Sequence, residues 1–220
     1  MVRFLQEVDN QLMFKKALLW NETLPSGYTR IPYIHTDGNA WFSTGIYGDE
    51  NTSVEIIFRS SNSRSQVVFG ARTSATSNAI AIFHPGNADT DTVVVDFGDY
   101  RVTRLNNPNF PINNWYRAYN SKSYRFAEII STGVKYEATT EYADTVTTPL
   151  PLYLAYKSDG FAATNNNFIG DIKALKIWNN GVLAANYIPV IGPTNKVGMY
   201  DLVTNTAKYS DGESEFSQPS

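Results

Sequence analysis

The sequence predicts an all-β domain: a β-sandwich or jelly roll of two antiparallel sheets that follows a short N-terminal extension. Three observations predict this class. Runs with an apolar residue at every second position recur about every 8–12 residues. Asn, Thr, Ser, Gly and Pro, the residues that turns require, stand between these runs. Aromatic residues make up 14% of the 220 residues, and their rings suit a half-buried, pleated surface.

The first 22 residues differ from the rest of the chain. Leu5, Val8, Leu12 and Leu19 recur at roughly helical spacing, although Lys15 and Lys16 interrupt them, and QLMFKKALLW can also extend as a strand. We interpret residues 1–22 as an arm for assembly or anchoring, and residues 23–220 as one β-sandwich domain. The alternative is a strand that pads the domain.

After an irregular entry with two prolines, ETLPSGYTRIPYI, the chain alternates strand and turn as far as its closing hairpin. Val54, Ile56 and Phe58 share one face of TSVEIIFRS. Pro149 and Pro151 open PLPLYLAYKS, which is typical of a strand start or a sheet edge. The further predicted strands lie in SQVVFGART, NAIAIFHPG, DTVVVDFGDYRVTRL, NNWYRAYNSKSYRFAEIIS and GVKYEATTEY.

Two tight hairpins are predicted near the C-terminus. Asn180-Gly181 stands between two apolar runs, and an Asn-Gly pair in that position is the strongest short-range hairpin signal. VGMYDLVTNTAKY repeats the pattern, with a turn near Thr204-Asn205. We expect about ten to twelve strands in the domain and no helix.

Composition argues against several classes of function. A net charge of −3 argues against nucleic acid as a partner. The absence of cysteine excludes disulfides and thiolate metal sites, and two histidines are too few for a His-based zinc site. No run approaches about 18 apolar residues, so no membrane insertion is expected. Glu7 and Asp9 stand where a signal peptide has its apolar core, so no secretory signal is expected.

Three stretches resemble a known family. LPSGYTRIPYIHTDGNAWFSTGI (24–46), GDIKALKIWNNGVLAANYIPV (170–190) and VGMYDLVTNTAKYSDGESEF (197–216) are similar, in this order, to the opening, the penultimate hairpin and the closing hairpin of one group of domains. These are the concanavalin A-like, laminin-G-type domains of phage and prophage structural proteins. The resemblance implies a jelly-roll sandwich but no single activity. We expect the closing hairpin to pair beside the early strand near Trp41–Ile46.

The sequence offers no catalytic constellation, and we predict that the protein is not an enzyme. Glu137 and Glu141 share a strand face but stand about 13 Å apart, too far for a glycosidase pair. Glu213 and Glu215 share a face in a Gly- and Ser-rich tail. No G-x-S-x-G motif presents a serine nucleophile. We interpret His84 as a turn residue and His35 as a structural or surface residue.

Asp and Asn side chains in two loops leave a calcium site open. Asp89 and Asp91 in HPGNADTDTVVVD, together with Asp159 in KSDGFAATNNNF, offer the oxygen ligands that calcium prefers. Laminin-G-type relatives sometimes hold calcium at a rim of the sandwich. The spacing does not match an EF-hand, and such turns also occur without a metal. No other cofactor is expected.

A carbohydrate site is the binding function that the residues favour. Aromatic ring faces suit the C–H groups of a pyranose, and Asn and Asp add directional hydrogen bonds. We assign Trp41, Trp115 and Trp178 to the core. The loops 84–91 and 157–168 are the expected location of a site. The candidate carbohydrate-binding residues are Tyr119, Tyr124, Asp159, Phe161, Asn165 and Asn166.

These observations together predict a phage virion structural protein, assembled in the host cytoplasm: a head decoration, fibre or tail appendage. Its sandwich displays a lectin-like surface that binds host-surface carbohydrate with avidity from many copies. Its partners are other copies of itself, with a trimer favoured, and other virion proteins through residues 1–22. The alternative is a stand-alone, non-catalytic carbohydrate-binding module, and a glycoside hydrolase ranks last.

Overall fold

The structure is a computed structural model. It describes residues 23–62, 66–72, 78–84, 86–87, 90–91, 93–98, 111–139, 141, 145–155, 158–159 and 167–219. The predicted arm, residues 1–22, lies outside this part of the chain. In the described part all regular elements are strands, so no helical segment long and apolar enough to cross a membrane occurs there.

Eighteen strands form the described part of the fold, several of them only two residues long. In chain order they are β1 Thr29–Arg30, β2 Ile34–Asp37, β3 Phe42–Asp49, β4 Thr52–Ser60, β5 Gln66–Arg72, β6 Ala79–His84, β7 Gly86–Asn87, β8 Thr90–Asp91, β9 Val94–Gly98, β10 Tyr116–Asn120, β11 Arg125–Ile129, β12 Lys135–Ala138, β13 Thr147–Leu154, β14 Ser158–Asp159, β15 Ile169–Asn179, β16 Val182–Ile191, β17 Val197–Asp201 and β18 Thr206–Lys208.

These strands form two large sheets, which confirms the predicted all-β class and its sandwich of two antiparallel sheets. Sheet A runs in the order β12-β11-β10-β4-β15-β16-β17-β18, with β1 beside β16 and β2 beside β15. Sheet B runs in the order β3-β13-β5-β6-β9, with β14 beside β5. The β5–β14 pair is parallel, while the other strand pairs of both sheets are antiparallel. The short strands β7 and β8 pair with each other.

The core lies between the two sheets and follows the alternation of the sequence. Val54, Ile56 and Phe58 of β4 are fully buried, as the period-2 pattern predicts. From sheet B, the ring of Phe42 contacts that of Tyr187 in sheet A, with 5.4 Å between centroids. Burial of such rings away from water is the main stabilising term of the fold.

Both C-terminal hairpins form as predicted. Asn180 and Gly181 adopt positive φ angles of 50° and 74° between β15 and β16, which is the conformation that a type I′ turn requires. Asn205, with φ of 56°, lies in the turn between β17 and β18. The turn residues therefore set both hairpins locally.

One strand-pairing prediction is wrong. The closing hairpin does not pair beside residues 41–46, because β17 pairs with β16 at the edge of sheet A while β3 belongs to sheet B. Only the tail after the hairpin reaches that region, where the Asp211 amide donates to the Trp41 carbonyl at 2.7 Å. Pro149 and Pro151 lie in the first part of β13, as the strand-start alternative predicts, and β13 pairs with β5 only beyond them, at Tyr153 and Leu154. β13 lies between β3 and β5, and its register with β3 shifts on both sides of Pro151.

Candidate functional site

Four aromatic side chains gather on the outer face of sheet A. We call Tyr119, Tyr124, Phe126 and Trp178 the aromatic platform. On β10, Ala118 and Asn120 are fully buried toward the core, so Tyr119 between them points to the opposite face. On β15, Ile177 belongs to the core, and Trp178 after it therefore also points outward.

The register of the sheet brings the platform together. Tyr119 lies directly opposite Phe126 on the neighbouring strand β11. Their rings are stacked, with centroids 5.7 Å apart and planes 13° apart. Tyr124 lies 6.0 Å from Tyr119 and 5.8 Å from Phe126, and Trp178 lies 6.5 Å from Tyr119, all between ring centroids. Phe126 is almost buried beneath its neighbours, while the other three rings are half-buried.

Polar groups border the platform on the edge strand β12. Lys135 donates to the Tyr124 hydroxyl at 2.6 Å and pairs with Glu137 at 2.8 Å. The Tyr124 hydroxyl in turn donates to Glu137 at 2.6 Å. The Lys135 ammonium also lies 4.7 Å from the centre of the Phe126 ring, a cation–π contact. The three groups thus form a closed hydrogen-bonded set beside exposed ring edges.

Ionisation at this border follows from these contacts. Hydrogen bonds from Lys135 and then Tyr124 lower the pKa of Glu137 below its ordinary value. Burial lowers the pKa of Lys135, but the hydrogen bonds to Glu137 and Tyr124 and the charges of these groups together outweigh it, and the net shift is upward. Burial raises the pKa of Tyr124, which therefore stays protonated at neutral pH. The border presents one cation, one anion and one neutral hydroxyl.

A second pair of charges joins the platform to the centre of sheet A. Arg117 donates through Nε and Nη2 to the same carboxylate oxygen of Glu55, at 2.9 and 2.7 Å. The Arg117 guanidinium lies 5.1 Å from the centre of the Phe126 ring. Glu128 lies near the same guanidinium, at 3.8 Å. Arg117 therefore adds a second cation–π contact to the Phe126 ring.

The structure describes only part of the sequence-predicted carbohydrate site. It brings Tyr119 and Tyr124 together, while Asp159 lies in β14 beside β5 of sheet B, where its backbone alone is described. Phe161, Asn165 and Asn166 lie outside the described residues. The prediction of a single site made of all six therefore stays a prediction.

Sequence reasoning missed two platform residues. Phe126 was not singled out, and Trp178 was assigned to the core. That assignment is wrong for Trp115 as well as Trp178, since both are half-buried on the outer face and contact other surface side chains. It holds for Trp41, which packs against the main core. The alternation of Leu175 and Ile177 toward the core was the available signal for Trp178.

One of the two histidines differs from its sequence interpretation. His84 is not a turn residue, because it ends strand β6, is fully buried and lies 6.2 Å from the ring of Tyr116. His35 is a partly exposed structural residue, as predicted, and its Nδ1 donates to the Asp171 carboxylate at 2.8 Å across β2 and β15. Neither contact involves a positioned serine hydroxyl.

The calcium prediction is not tested by the described side chains. Asp89 lies outside the described residues, and of Asp91 and Asp159 only the backbone is described, in β8 and β14. Among the side chains that the structure does describe, no group of three His, Asp or Glu residues is arranged to hold a metal ion.

Comparison with known proteins yields structural similarity only. No protein-family model matches the sequence, and no curated protein matches it. Among solved structures, domains LG4-5 of the mouse laminin α1 chain are similar with a TM-score of 0.43 and 16% identity, covering 69% of this chain and 43% of that one. The full extracellular region of zebrafish Gpr126/Adgrg6 is similar with a TM-score of 0.49 and 12% identity, covering 88% and 26%.

A third similar structure is the enzymatically active domain of tailspike protein 2 from bacteriophage CBA120, with a TM-score of 0.44, 11% identity and coverage of 74% and 30%. These similarities assign the chain to no family. The chain spans less than half the length of each of these three structures. Its function has to be argued from its own surface.

Proposed function

We propose that the chain is a non-catalytic carbohydrate-binding domain, and that the aromatic platform on the outer face of sheet A is its binding surface. The observation that carries this proposal is the gathering of Tyr119, Tyr124 and Trp178 around Phe126 on a face that the core does not use. Large rings clustered at a protein surface mark interaction sites more often than isolated ones do.

The chemistry of the platform suits a sugar. The ring faces pack against the apolar C–H groups of a pyranose, and the Lys135–Glu137 pair supplies a donor and an acceptor for its hydroxyls. Phe126, Tyr119 and Trp178 lie on β11, β10 and β15 of one sheet, so the rings are positioned before the ligand arrives. Such pre-organisation lowers the entropic cost of binding.

The charges on this face argue against hydrolysis. A glycosidase needs one carboxyl group with a raised pKa to act as the acid. The pKa of Glu137 is lowered by Lys135 and Tyr124, and Glu55 is occupied by the Arg117 guanidinium. Neither group has the environment of an acid catalyst, which supports a binding role over a catalytic one.

We further propose that the domain is displayed on a phage virion, as a head decoration, fibre or tail appendage. The support is the sequence resemblance of residues 24–46, 170–190 and 197–216 to domains of phage structural proteins. Repetition of a weak sugar site in a homo-oligomer, with a trimer favoured, raises avidity without any new contact. Residues 1–22 are the proposed contact with other copies and with other virion proteins.

A glycan array tests the binding function. The full chain, presented at high density on a multivalent carrier, is expected to bind a subset of neutral glycans. Tyr119→Ala and Trp178→Ala are each expected to weaken binding roughly 30-fold, as truncation of a central aromatic does at interfaces. Tyr47→Ala is the matched control, because Tyr47 is 59% exposed on β3 in sheet B. The same array with calcium and with chelator tests the proposed site at Asp89, Asp91 and Asp159.

The absence of any glycan signal at high density would overturn the binding function. An equal effect of Tyr47→Ala and Tyr119→Ala would move the site away from the platform. Degradation of a bound glycan would replace the binding role with an enzymatic one.

Deletion of residues 1–22 tests the proposed arm. Light scattering is expected to give an oligomer for the full chain and a monomer for the truncated chain. An oligomer that survives truncation would remove the arm from assembly. Electron microscopy of phage particles labelled with an antibody to this chain distinguishes a virion component from the alternative, a stand-alone binding module.

A further inference from the structure

A second group of charged and aromatic side chains lies on the outer face of sheet A. Trp115 stands four residues before Tyr119, which corresponds to roughly 13 Å along an extended strand. Its ring and that of Tyr33 lie 5.5 Å apart between centroids. The Arg59 guanidinium lies 4.9 Å from the Trp115 ring centre and 5.3 Å from that of Tyr33. The Lys173 ammonium lies 4.2 Å from the Trp115 ring centre.

One carboxylate orders this cluster. Asp171 is almost buried and accepts from Arg59 at 2.8 Å through Nε and at 2.6 Å through Nη2. The same carboxylate contacts His35 Nδ1 at 2.8 Å. The register places His35, Asp171 and Arg59 directly opposite one another on β2, β15 and β4. The guanidinium is therefore fixed in one orientation before any ligand binds.

The two cations on the Trp115 ring, Arg59 and Lys173, outnumber the one carboxylate that contacts them, Asp171, while a second carboxylate, Asp37, acts on His35. Asp171 is shared between Arg59 and His35, whereas Lys173 forms no salt bridge with a carboxylate in the described part of the chain. Lys173 is exposed, and the side chains of Arg59 and His35 are 31% and 37% exposed. On a protein with a net charge of −3, this is a local cationic site with aromatic walls.

Two cations contact the ring of Trp115. The Arg59 guanidinium and the Lys173 ammonium lie 4.9 and 4.2 Å from the centre of this ring, so the two cations are at most about 9 Å apart. The ring offsets only part of their mutual repulsion. An anionic group that reaches both cations would receive charge-assisted hydrogen bonds from each.

We propose that Arg59, Lys173 and His35 form a binding site for an anionic group, a carboxylate or a phosphate, carried by a surface polymer of the host. Arg59, held by Asp171, supplies the fixed donor, and Lys173 supplies the mobile one. Trp115 and Tyr33 form the walls. The site shares no residue with the aromatic platform, while the host polymer as carrier of the anion rests on the proposed display on a phage virion.

An NMR titration of the isotope-labelled full chain tests the site. The probes are inorganic phosphate and sodium glucuronate, with glucose as the neutral control and constant ionic strength throughout. Both anions, or one of them, are expected to shift the Trp115 indole signal and the Lys173 signals along a saturable curve. Saturation by phosphate alone assigns the site to phosphate groups, and saturation by glucuronate alone assigns it to carboxylates.

Lys173→Met is expected to weaken the binding of the anion about tenfold, since it removes one charge-assisted hydrogen bond. Lys176→Met is the matched control on the same strand β15 and is expected to leave the affinity within about twofold. Shifts that do not saturate with either anion, or an equal loss in both variants, would overturn the proposal. Retention of glycan binding by Lys173→Met separates this site from the aromatic platform.

Discussion

The ring of Tyr119 stacks on the ring of Phe126 across β10 and β11, with 5.7 Å between centroids and 13° between planes. The stack joins two directly opposed positions of an antiparallel pair, where cross-strand side chains are the unit of sheet stabilisation. The stack therefore stabilises the pairing of β10 with β11, and it holds Tyr119 in position in the aromatic platform.

Replacement of Phe126 by leucine is expected to lower the free energy of unfolding by about 1 kcal/mol, because the aromatic stack is lost while most apolar burial remains. Urea unfolding followed by circular dichroism measures it. The double variant Tyr119→Leu/Phe126→Leu is expected to cost less than the sum of the two single variants, because both remove the same contact. Strict additivity would mean that the stack contributes nothing.

The buried guanidinium of Arg125 is expected to contribute strongly to the stability of the sandwich. It is fully buried, burial lowers its pKa, and its Nη1 donates to the carbonyls of Ser121 and Lys122. Arg125→Met is expected to cost about 3 kcal/mol, because the carbonyls lose their donor and Asp96 loses a nearby cation. Lys135→Met, an exposed cation on the neighbouring region of sheet A, is the control, with an expected cost below about 1 kcal/mol.

The His35–Asp171 pair gives folding a pH dependence. The hydrogen bond to Asp171 raises the pKa of His35, although burial opposes it and the charge of Arg59 lowers it. Asp37 adds to the increase. A raised folded-state pKa means that the stabilisation is fully present below the ordinary pKa of about 6.5 and is lost as pH rises through the folded-state value.

Asp171 contributes at the acidic end of the scale. Burial raises the pKa of Asp171, but the hydrogen bonds from His35 and Arg59 together lower it by more, so the net shift is downward. Its stabilisation is present above the ordinary carboxyl pKa and is lost as pH falls through the folded-state value. Urea midpoints measured from pH 5 to 9 are expected to decline above about 6.5, and His35→Gln is expected to remove that decline. An unchanged profile in His35→Gln would place the titrating group elsewhere.

Two glycines, Gly181 in the β15–β16 turn and Gly198 in β17, are expected to differ in their response to alanine. Gly181 has φ of +74° and open space where a Cβ would stand, so Gly181→Ala costs only the conformational strain, about 1 kcal/mol. At Gly198 a Cβ would meet the backbone oxygen of Lys208 at 2.4 Å, so Gly198→Ala is expected to cost more and to loosen β18. Thermal unfolding of both variants measures the difference, and equal losses would refute it.

The sequence predicted those parts of the fold that depend on local pattern. Alternation identified the buried face of β4, and Asn180-Gly181 identified its hairpin, because both signals act within a few residues. The sequence did not predict the partner of the closing hairpin, because the alternation of apolar and polar residues in that hairpin fits either sheet. Its partner β16 precedes it by only five residues (192–196), and because consecutive strands commonly pair, this partner could have been predicted from the order of the elements.

The candidate site divides in the same way. Tyr119 and Tyr124 were recognisable as aromatic residues near a turn, and Trp178 was recoverable from the alternation of β15. The contact of His35 with Asp171 spans 136 positions and arises only from the β2–β15 register. No spacing rule connects two such residues before the sheet order is known.

Intermolecular nuclear Overhauser effects test the central claim most directly. A neutral oligosaccharide that binds in the glycan array is added to the isotope-labelled full chain, and contacts are recorded between its C–H protons and the aromatic rings. We predict contacts to Tyr119, Tyr124 and Trp178. Contacts confined to Tyr47 and Tyr153 on sheet B, or to no aromatic ring of sheet A, would contradict the assignment of the aromatic platform as the binding surface.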